Sequence, residues 1–304
     1  SFPTRRSSDL RYMQVAIYGK LITDENIPYL KNLFDKLQKE DIKYLIYRPF
    51  ADHLRSSNIK LAEAGEFTSY DDMDKSSDFM ISIGGDGTFL DTITFIRDSG
   101  MPVVGINAGT LGFLSNISKD EIDYAIDEIV AGNFTLDKRA LLTIETEMNL
   151  FEDVNVALND LTIHKYDSSS MITIHVYLND EFLNSYWADG LIISTPTGST
   201  AYSLSCGGPI ITPGSGNFII NPVAPHNLNV RPVVIPDDNI ISIKVEGRSG
   251  KFLVSLDSKY ETVSDSTALT IKKADFHLNL IRLNSQNFLS TLRNKLMWGL
   301  DKRN

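Results

Sequence analysis

Several residue types that would commit the chain to a large functional class are scarce. One cysteine, Cys206, occurs in 304 residues. No intrachain disulfide can form from it, and the expected compartment is a reducing one, the cytoplasm. No apolar run approaches the roughly 20 residues that span a bilayer. The longest, such as "FMISI" (79–83) and "GLIIST" (190–195), have the length of strands. Basic residues are the minority: 29 Lys and Arg stand against 39 Asp and Glu, a formal net charge of −10. That balance argues against a general nucleic-acid binder, so neither nucleic acid nor membrane is expected as a partner. It leaves room for a small anionic ligand, because glycine loops and helix N-termini bind phosphate with little net charge. Internal repeats and low-complexity segments are also missing.

What remains is the composition of a globular protein, long enough for two domains. Residues 1–12, "SFPTRRSSDLRY", show neither apolar periodicity nor a secretory apolar region. Regular pattern begins at Met13, and the first twelve residues are expected to be a non-native or flexible tail.

From 13 to 137, strand-like and helix-like segments alternate. "QVAIYG", "IKYLIY", "FMISIG" and "MPVVGIN" read as strands. Residues 27–40 carry apolar residues at 27, 30, 33, 34 and 37, a helical stripe. A helix is also expected over 87–99. "SKDEIDYAIDEIVAG" (118–132) opens with Ser118 and Glu121, a capping box, and closes on Gly132. Such alternation predicts an α/β N-terminal domain, a parallel sheet flanked by helices. From 138 to 284 the runs become short, rich in β-branched residues and separated by turns, which predicts an all-β domain. Residues 285–304 hold an amphipathic segment, expected to form a helix that returns to the first domain.

"FMISIGGDGTFLDTITFI" (79–96) runs an apolar strand into three glycines around one aspartate. Ligands bind at the carboxyl ends of the strands in such sheets. Gly84, Gly85, Gly87 and Thr88 offer bare backbone N–H groups for a phosphate tail. A carboxylate there repels phosphate, so Asp86 needs a separate task, work on a hydroxyl. The bland reading is a tight turn with a capping Asp. Two familiar phosphate motifs are excluded. There is no lysine from 76 to 96, as a P-loop requires, and Leu90 stands where the dinucleotide fingerprint needs its third glycine.

A second hydroxyl-rich turn, Pro196-Thr197-Gly198-Ser199-Thr200, follows "GLIIST" in the β-rich half. Its hydroxyls suit ribose or phosphate oxygens, and Tyr202 offers a face for a base; a serine-rich connector is the alternative. "NAGTLGF" (107–113) adds flexible glycines and the apolar Phe113. Asn159-Asp160 form a polar pair able to read ribose hydroxyls or an exocyclic amine, or a plain hairpin turn. "NPVAPHNLNVRP" (221–232) contributes His226, a weak candidate because lone histidines are more often structural.

Together these segments resemble the NAD kinase family. The resemblance rests on "GGDGT" (84–88), "NAGTLGF" (107–113), Asn159-Asp160, "DGLIISTPTGSTAYSLSCGGPI" (189–210) and "PHNLNVRP" (225–232), in the family's order over about 13–300. "GGDGT" alone is shared with diacylglycerol, sphingosine and 6-phosphofructokinase relatives, whereas the 189–210 segment is far more specific.

The resemblance implies phosphorylation of the adenosine ribose 2′-hydroxyl of NAD by ATP, another nucleoside triphosphate or polyphosphate. It implies a divalent cation (Mg²⁺ or Mn²⁺, protein ligands unknown) and a homodimer or homotetramer. Carried over by position, Asp86 matches the proton acceptor. NAD-binding positions are matched by Asp86, Gly87, Phe113, Asn159, Asp160, Asp189, Thr200, Ala201, Tyr202 and Ser205. Asp189 would lie near the nicotinamide end and Tyr202 near a base. Three departures stand out: Asp160 replaces a more common Glu, Trp187 stands where some members are basic, and Lys259 replaces the glutamine of an "LDGQ"-like turn. Competing readings are another kinase of the same broad group, a non-catalytic dinucleotide sensor, and a hydride-transfer enzyme, the last disfavoured by the missing glycine.

Overall fold

The computed structural model describes residues 13–21, 23–61, 64–109, 112–151, 154–167 and 170–298. The expectation for residues 1–12, Thr110 and Leu111 of the "NAGTLGF" loop, and residues 299–304 lie outside these. The chain divides into two compact units. One runs to Lys138 and resumes at Leu278; the other is Arg139–His277. The segment 278–283 therefore groups with the first unit, not with the β-rich stretch in which its strand pattern begins.

The first unit is built on five parallel strands: β1 (Gln14–Gly19), β2 (Lys43–Tyr47), β3 (Gly65–Phe67), β4 (Phe79–Ile83) and β5 (Val103–Asn107). Their order is β5-β4-β1-β2-β3. All residues of β4 and β5 are buried. That is why these segments read as continuous apolar runs with no alternation: a parallel sheet is covered on both faces.

Helix α1 (Ile27–Lys39) has Pro28 in its first turn and Lys36 and Lys39 in its last. Both choices suit a helix: proline needs no hydrogen-bond partner there, and cations favour the C-terminal dipole. It buries Leu30, Leu33, Phe34 and Leu37. Helix α2 (Arg48–Ser56) follows β2 directly and buries Phe50, Ala51 and Leu54. Neither α2 nor β3 stands out in the sequence, because both are short and lack a strong periodic window.

The expected helix over 87–99 is two pieces, α3 (Asp86–Asp91) and α4 (Ile93–Ile96), joined at Thr92. The buried Thr92 hydroxyl donates to the Phe89 carbonyl at 2.6 Å, local competition of the kind that bends helices. Helix α5 (Ile122–Val130) is preceded by a 3₁₀ turn, and the capping box of Ser118 and Glu121 is present. Lys36 of α1 pairs with Asp127 of α5, and Asn32 donates to Asp123 at 3.1 Å. The C-terminal helix, Phe288–Leu296, is capped by Asn287 and buries Leu292. Its Phe288 ring lies 6.4 Å from that of Phe113, and Gln286 donates to the Asn116 carbonyl at 3.0 Å. The return of this helix to the α/β unit thus has named contacts.

The second unit contains two antiparallel sheets. One has six strands, ordered 233–236, 217–223, 190–194, 160–165, 251–256 and 259–264. The other joins 181–188, 172–178, 241–246 and 269–271. Alternate residues of Ile172–Leu178 and Ile241–Glu246 are buried, the pattern of strands with one covered face. Leu161, Ile163, Leu191, Ile193 and Phe218 from one sheet share a core with Ile172, Ile174, Tyr186 and Ile243 from the other. The run "EFLNSYWADGLIIS", which looks continuous, is two strands in different sheets. Glu181–Ala188 pairs with Ile172–Leu178, and Gly190–Ser194 pairs with Asp160–Lys165 and Asn217–Val223. Asp189 is the residue between them.

Candidate functional site

In the first unit the glycine loop sits between β4 and α3, at the carboxyl end of a central strand. Gly84 has φ +151°, and a Cβ there would also strike the Thr88 side chain. Its N–H donates to the Ile106 carbonyl at 3.0 Å, tying the loop to β5. A Cβ at Gly85 or Gly87 would meet nothing within 4 Å. These two glycines are therefore bare without being crowded by protein. The space above them is available to a ligand, and both are exposed.

Asp86 opens α3 and is half-buried. Its carboxylate accepts three consecutive backbone N–H groups: Phe113 at 2.8 Å on Oδ2, and Leu114 at 3.0 Å and Ser115 at 2.9 Å on Oδ1. A carboxylate has about four lone-pair sites, so three are engaged and one remains. Asp86 is held rigidly, with capacity for one further donor, such as a hydroxyl. Gly112 makes the arrangement possible: a Cβ there would overlap the Asp86 carboxylate. The link between the "GGDGT" and "NAGTLGF" segments is therefore a direct backbone clamp, with Phe113 contributing its N–H as well as its ring.

In the second unit, Asn159 and Asp160 are organised by Asp257. The Asp257 carboxylate accepts N–H groups from Leu158 at 2.8 Å, Asn159 at 2.9 Å and Asp160 at 3.1 Å. The Asp257 N–H returns a bond to the Asp160 carbonyl at 3.0 Å. Burial, followed by the nearby Asp257 charge, pushes the Asp160 carboxyl up to about 7, while a hydrogen bond from Thr162 opposes the rise. Burial also pushes Asp257 up, to about 6, against the three N–H donors and Lys259.

The hydroxyl-rich turn folds back onto the same segment. Thr195 N–H donates to the Asn159 carbonyl at 2.9 Å, and the Thr195 hydroxyl donates to the Leu158 carbonyl. Gly198 lies so close to the Asn159 carbonyl that a Cβ would overlap it. Arg139, a buried cation, donates to the Thr197 hydroxyl at 3.3 Å. Thr200 ends a 3₁₀ turn (Gly198–Thr200), Ala201 links it to a short helix (Tyr202–Ser205), and Tyr202 and Ser205 are exposed. The Tyr202 ring lies 5.8 Å from the His164 ring. Burial lowers the His164 pKa, and Asp189 opposes the change. Asp189 pairs with Lys165 at 2.7 Å. Its backbone is fixed on both sides: its carbonyl accepts from Lys165 N–H at 3.0 Å and its N–H donates to the Val223 carbonyl at 3.1 Å.

The sequence-predicted residues thus form two sets. Gly84, Gly85, Asp86, Gly87, Thr88 and Phe113 gather in the first unit, and Asn159, Asp160, Asp189, Thr200, Ala201, Tyr202 and Ser205 in the second. The weak candidates are peripheral to these hydrogen bonds. The His226 ring packs 4.2 Å from the exposed Trp187 ring, and Lys259 begins the last strand of the six-stranded sheet. Sequence reading missed Asp257, Lys165 and Arg139. The turn "LDSK" (256–259) holds a clue to the first, an aspartate two residues before Lys259. No local pattern marks the other two.

Among the described residues no group of three His, Cys, Asp or Glu side chains could hold a metal ion. No helix among them is long and apolar enough to cross a membrane.

Comparison with known proteins gives a consistent result. The ATP-NAD kinase N-terminal domain model matches residues 15–134, and the ATP-NAD kinase C-terminal domain model matches 158–283. An NAD kinase of Cytophaga hutchinsonii is 50% identical over 293 residues, covering 96% of this chain and all of the relative. One of Flavobacterium psychrophilum is 47% identical, with 96% of this chain and all of the relative covered. The fold is also that of a yeast NADH kinase solved with NADH: TM-score 0.82, 24% identity, 95% of this chain and 89% of that one. An Archaeoglobus fulgidus NAD kinase solved with ATP gives TM-score 0.72 at 22% identity, over 94% of this chain and 99% of that one.

Proposed function

Since the chain belongs to the NAD kinase family, we infer that it transfers the terminal phosphoryl group of ATP to the adenosine ribose 2′-hydroxyl of NAD, giving NADP. The observation that carries the site assignment is the Asp86 carboxylate, locked by three backbone N–H groups beside two glycines with open space above them.

In this reading the 2′-oxygen attacks the γ-phosphorus as the bond from that phosphorus to the β-bridging oxygen breaks. The hydroxyl proton passes to Asp86, and ADP leaves. A neutral alcohol is a weak nucleophile, so a fixed proton acceptor is worth about 10²–10⁴ in rate. The remaining catalysis in phosphoryl transfer is positioning and charge neutralisation. Gly84, Gly85, Gly87 and Thr88 form the proposed donor loop. Asn159 and Asp160 are assigned to the acceptor nucleoside, Asp189 to the nicotinamide end and Tyr202 to a base, with Phe113, Thr200, Ala201 and Ser205 in the same NAD-binding set. Lys165 reduces the charge cost of bringing Asp189 near a dinucleotide.

The expected divalent cation finds no protein cage among the described residues. Mg²⁺ characteristically rides on substrate phosphates with several waters retained, so no protein ligand is assigned and no step depends on one. Cytoplasmic location and a homo-oligomeric state belong to the same proposal, the first supported by the single cysteine.

The direct test is a product assay. Purified protein with NAD, Mg²⁺ or Mn²⁺, and either ATP or polyphosphate is expected to yield NADP, read by an NADP-dependent dehydrogenase. NAD binding with no phosphorylated product from either donor would favour a sensor instead.

A second test addresses the donor loop. Gly87→Ala places a methyl group in empty space, within α3. Alanine is the better helix former, so stability is expected to rise by about 0.5–1 kcal/mol. Donor KM is nevertheless expected to rise about tenfold or more, because the methyl group occupies the approach of a phosphate to the backbone. An unchanged donor KM in this variant would move the phosphates off the loop.

A further inference from the structure

Asp257 sits under the segment that carries Asn159 and Asp160. It is half-buried, and nothing in the proposed phosphoryl transfer uses its carboxylate directly. Yet it accepts N–H groups from Leu158, Asn159 and Asp160, three residues in a row, at 2.8–3.1 Å. Three consecutive amides on one carboxylate fix the φ and ψ angles of the whole segment. The Asp257 N–H bond to the Asp160 carbonyl closes the contact from the other side. Asp257 itself has φ 50°, a strained value for a non-glycine residue that the surrounding hydrogen bonds stabilise.

The arrangement repeats the Asp86 clamp on 113–115 with different elements. In the second unit two of the three clamped residues, Asn159 and Asp160, are candidate ligand-binding residues. Asn159 is also held from the opposite side, where its carbonyl accepts from Thr195 N–H and from the Ser194 hydroxyl at 3.3 Å. Its backbone N–H and C=O are thus both engaged by protein, which leaves the side-chain amide for a ligand.

We propose that Asp257 is a positioning residue for the dinucleotide: by holding three successive amides it fixes the segment that presents Asn159 and Asp160 to the acceptor nucleoside. This rests on the assignment of that pair to NAD binding. The Asp257 carboxylate would touch neither substrate. A second consequence is that two carboxyl groups, the buried Asp160 and the half-buried Asp257, are kept together, a costly arrangement unless hydrogen bonds satisfy them.

Asp257→Asn keeps the shape but turns one acceptor into a donor that faces N–H groups. Expected are a KM and Kd for NAD raised about tenfold or more, since a buried N–H loses its partner, and an ATP KM within about twofold of wild type. Amide hydrogen exchange in the folded variant is expected to accelerate at 158–160. If that variant does not fold, Asp257→Glu keeps both acceptor oxygens on a longer arm and is read the same way, and slow exchange at 158–160 is expected in the wild type. Unchanged NAD affinity in whichever variant folds, NAD and ATP KM rising together, or fast wild-type exchange at 158–160 would each overturn the role. A wild type that neither binds nor phosphorylates NAD overturns the underlying functional reading as well. A competent wild type with an equally competent variant overturns the role of Asp257 alone.

Discussion

Asp86→Asn is expected to lower kcat for NAD phosphorylation by about 10²–10⁴, the range that general-base assistance supplies. The structure adds a second effect that the sequence did not suggest. Considered as an isolated side chain, asparagine is a neutral copy of aspartate that should leave the rest of the site undisturbed. Here both carboxylate oxygens are acceptors, Oδ2 for Phe113 N–H and Oδ1 for Leu114 and Ser115 N–H. An amide provides one acceptor oxygen, and its NH₂ must then point at a backbone donor. Leaving one N–H unsatisfied costs about 1–3 kcal/mol, so a lower Tm is expected together with the loss of turnover. Three measurements separate the effects: single-turnover NADP formation, calorimetric NAD titration and thermal melting. NAD affinity is expected to change far less than kcat. Near-normal turnover would remove Asp86 from the chemistry, whatever happens to stability.

Gly112→Ala is expected to act on the same carboxylate from the opposite side, with the charge left in place. A methyl group there would overlap Asp86, so either the aspartate or the 112–115 loop must move. Displacing a reacting group by about 1 Å can cost about 10²-fold in rate, and a loss of that order in kcat is the expected result. Overpacking of this kind costs about 1–3 kcal/mol of stability. The informative pattern is therefore a folded protein, somewhat less stable, with intact NAD binding and poor turnover. A variant that melts slightly lower yet turns over like wild type would show that the carboxylate tolerates displacement, and would contradict the account of a rigidly aimed acceptor.

Much of this molecule was legible before any coordinates. Alternating strand and helix segments up to about 137 give the parallel sheet, and the β-branched runs that follow give the antiparallel sheets. The capping box at Ser118 and Glu121 is present as its spacing suggests. The glycine loop falls at the carboxyl end of β4, where the α/β pattern puts it. Sequence and structure differ where local signals are weak or contradictory. Helix α2 is only nine residues long, too short to give a clear periodic stripe. The segment 87–99 looked like one helix because its apolar spacing continues through Thr92, which carries no warning of the bend its hydroxyl makes. The run 181–194 looked continuous because both of its strands are apolar, and only Asp189-Gly190 marks the change of sheet.

The sequence by itself determined what neighbours along the chain decide: periodicity, caps, the bare backbone of the glycine loop, and the order of motifs that marks the family. Tertiary structure alone decided which amides each clamping carboxylate would meet. Asp86 reaches its three N–H partners 27 to 29 residues away, and Asp257 reaches its own across 97 to 99. The physical reason is that a carboxylate partly withdrawn from water must find donors wherever the closed chain supplies them, and a few residues of local pattern contain no record of that closure. Gly112 shows the same limit: its need for a bare Cα arises from a side chain that enters from another element.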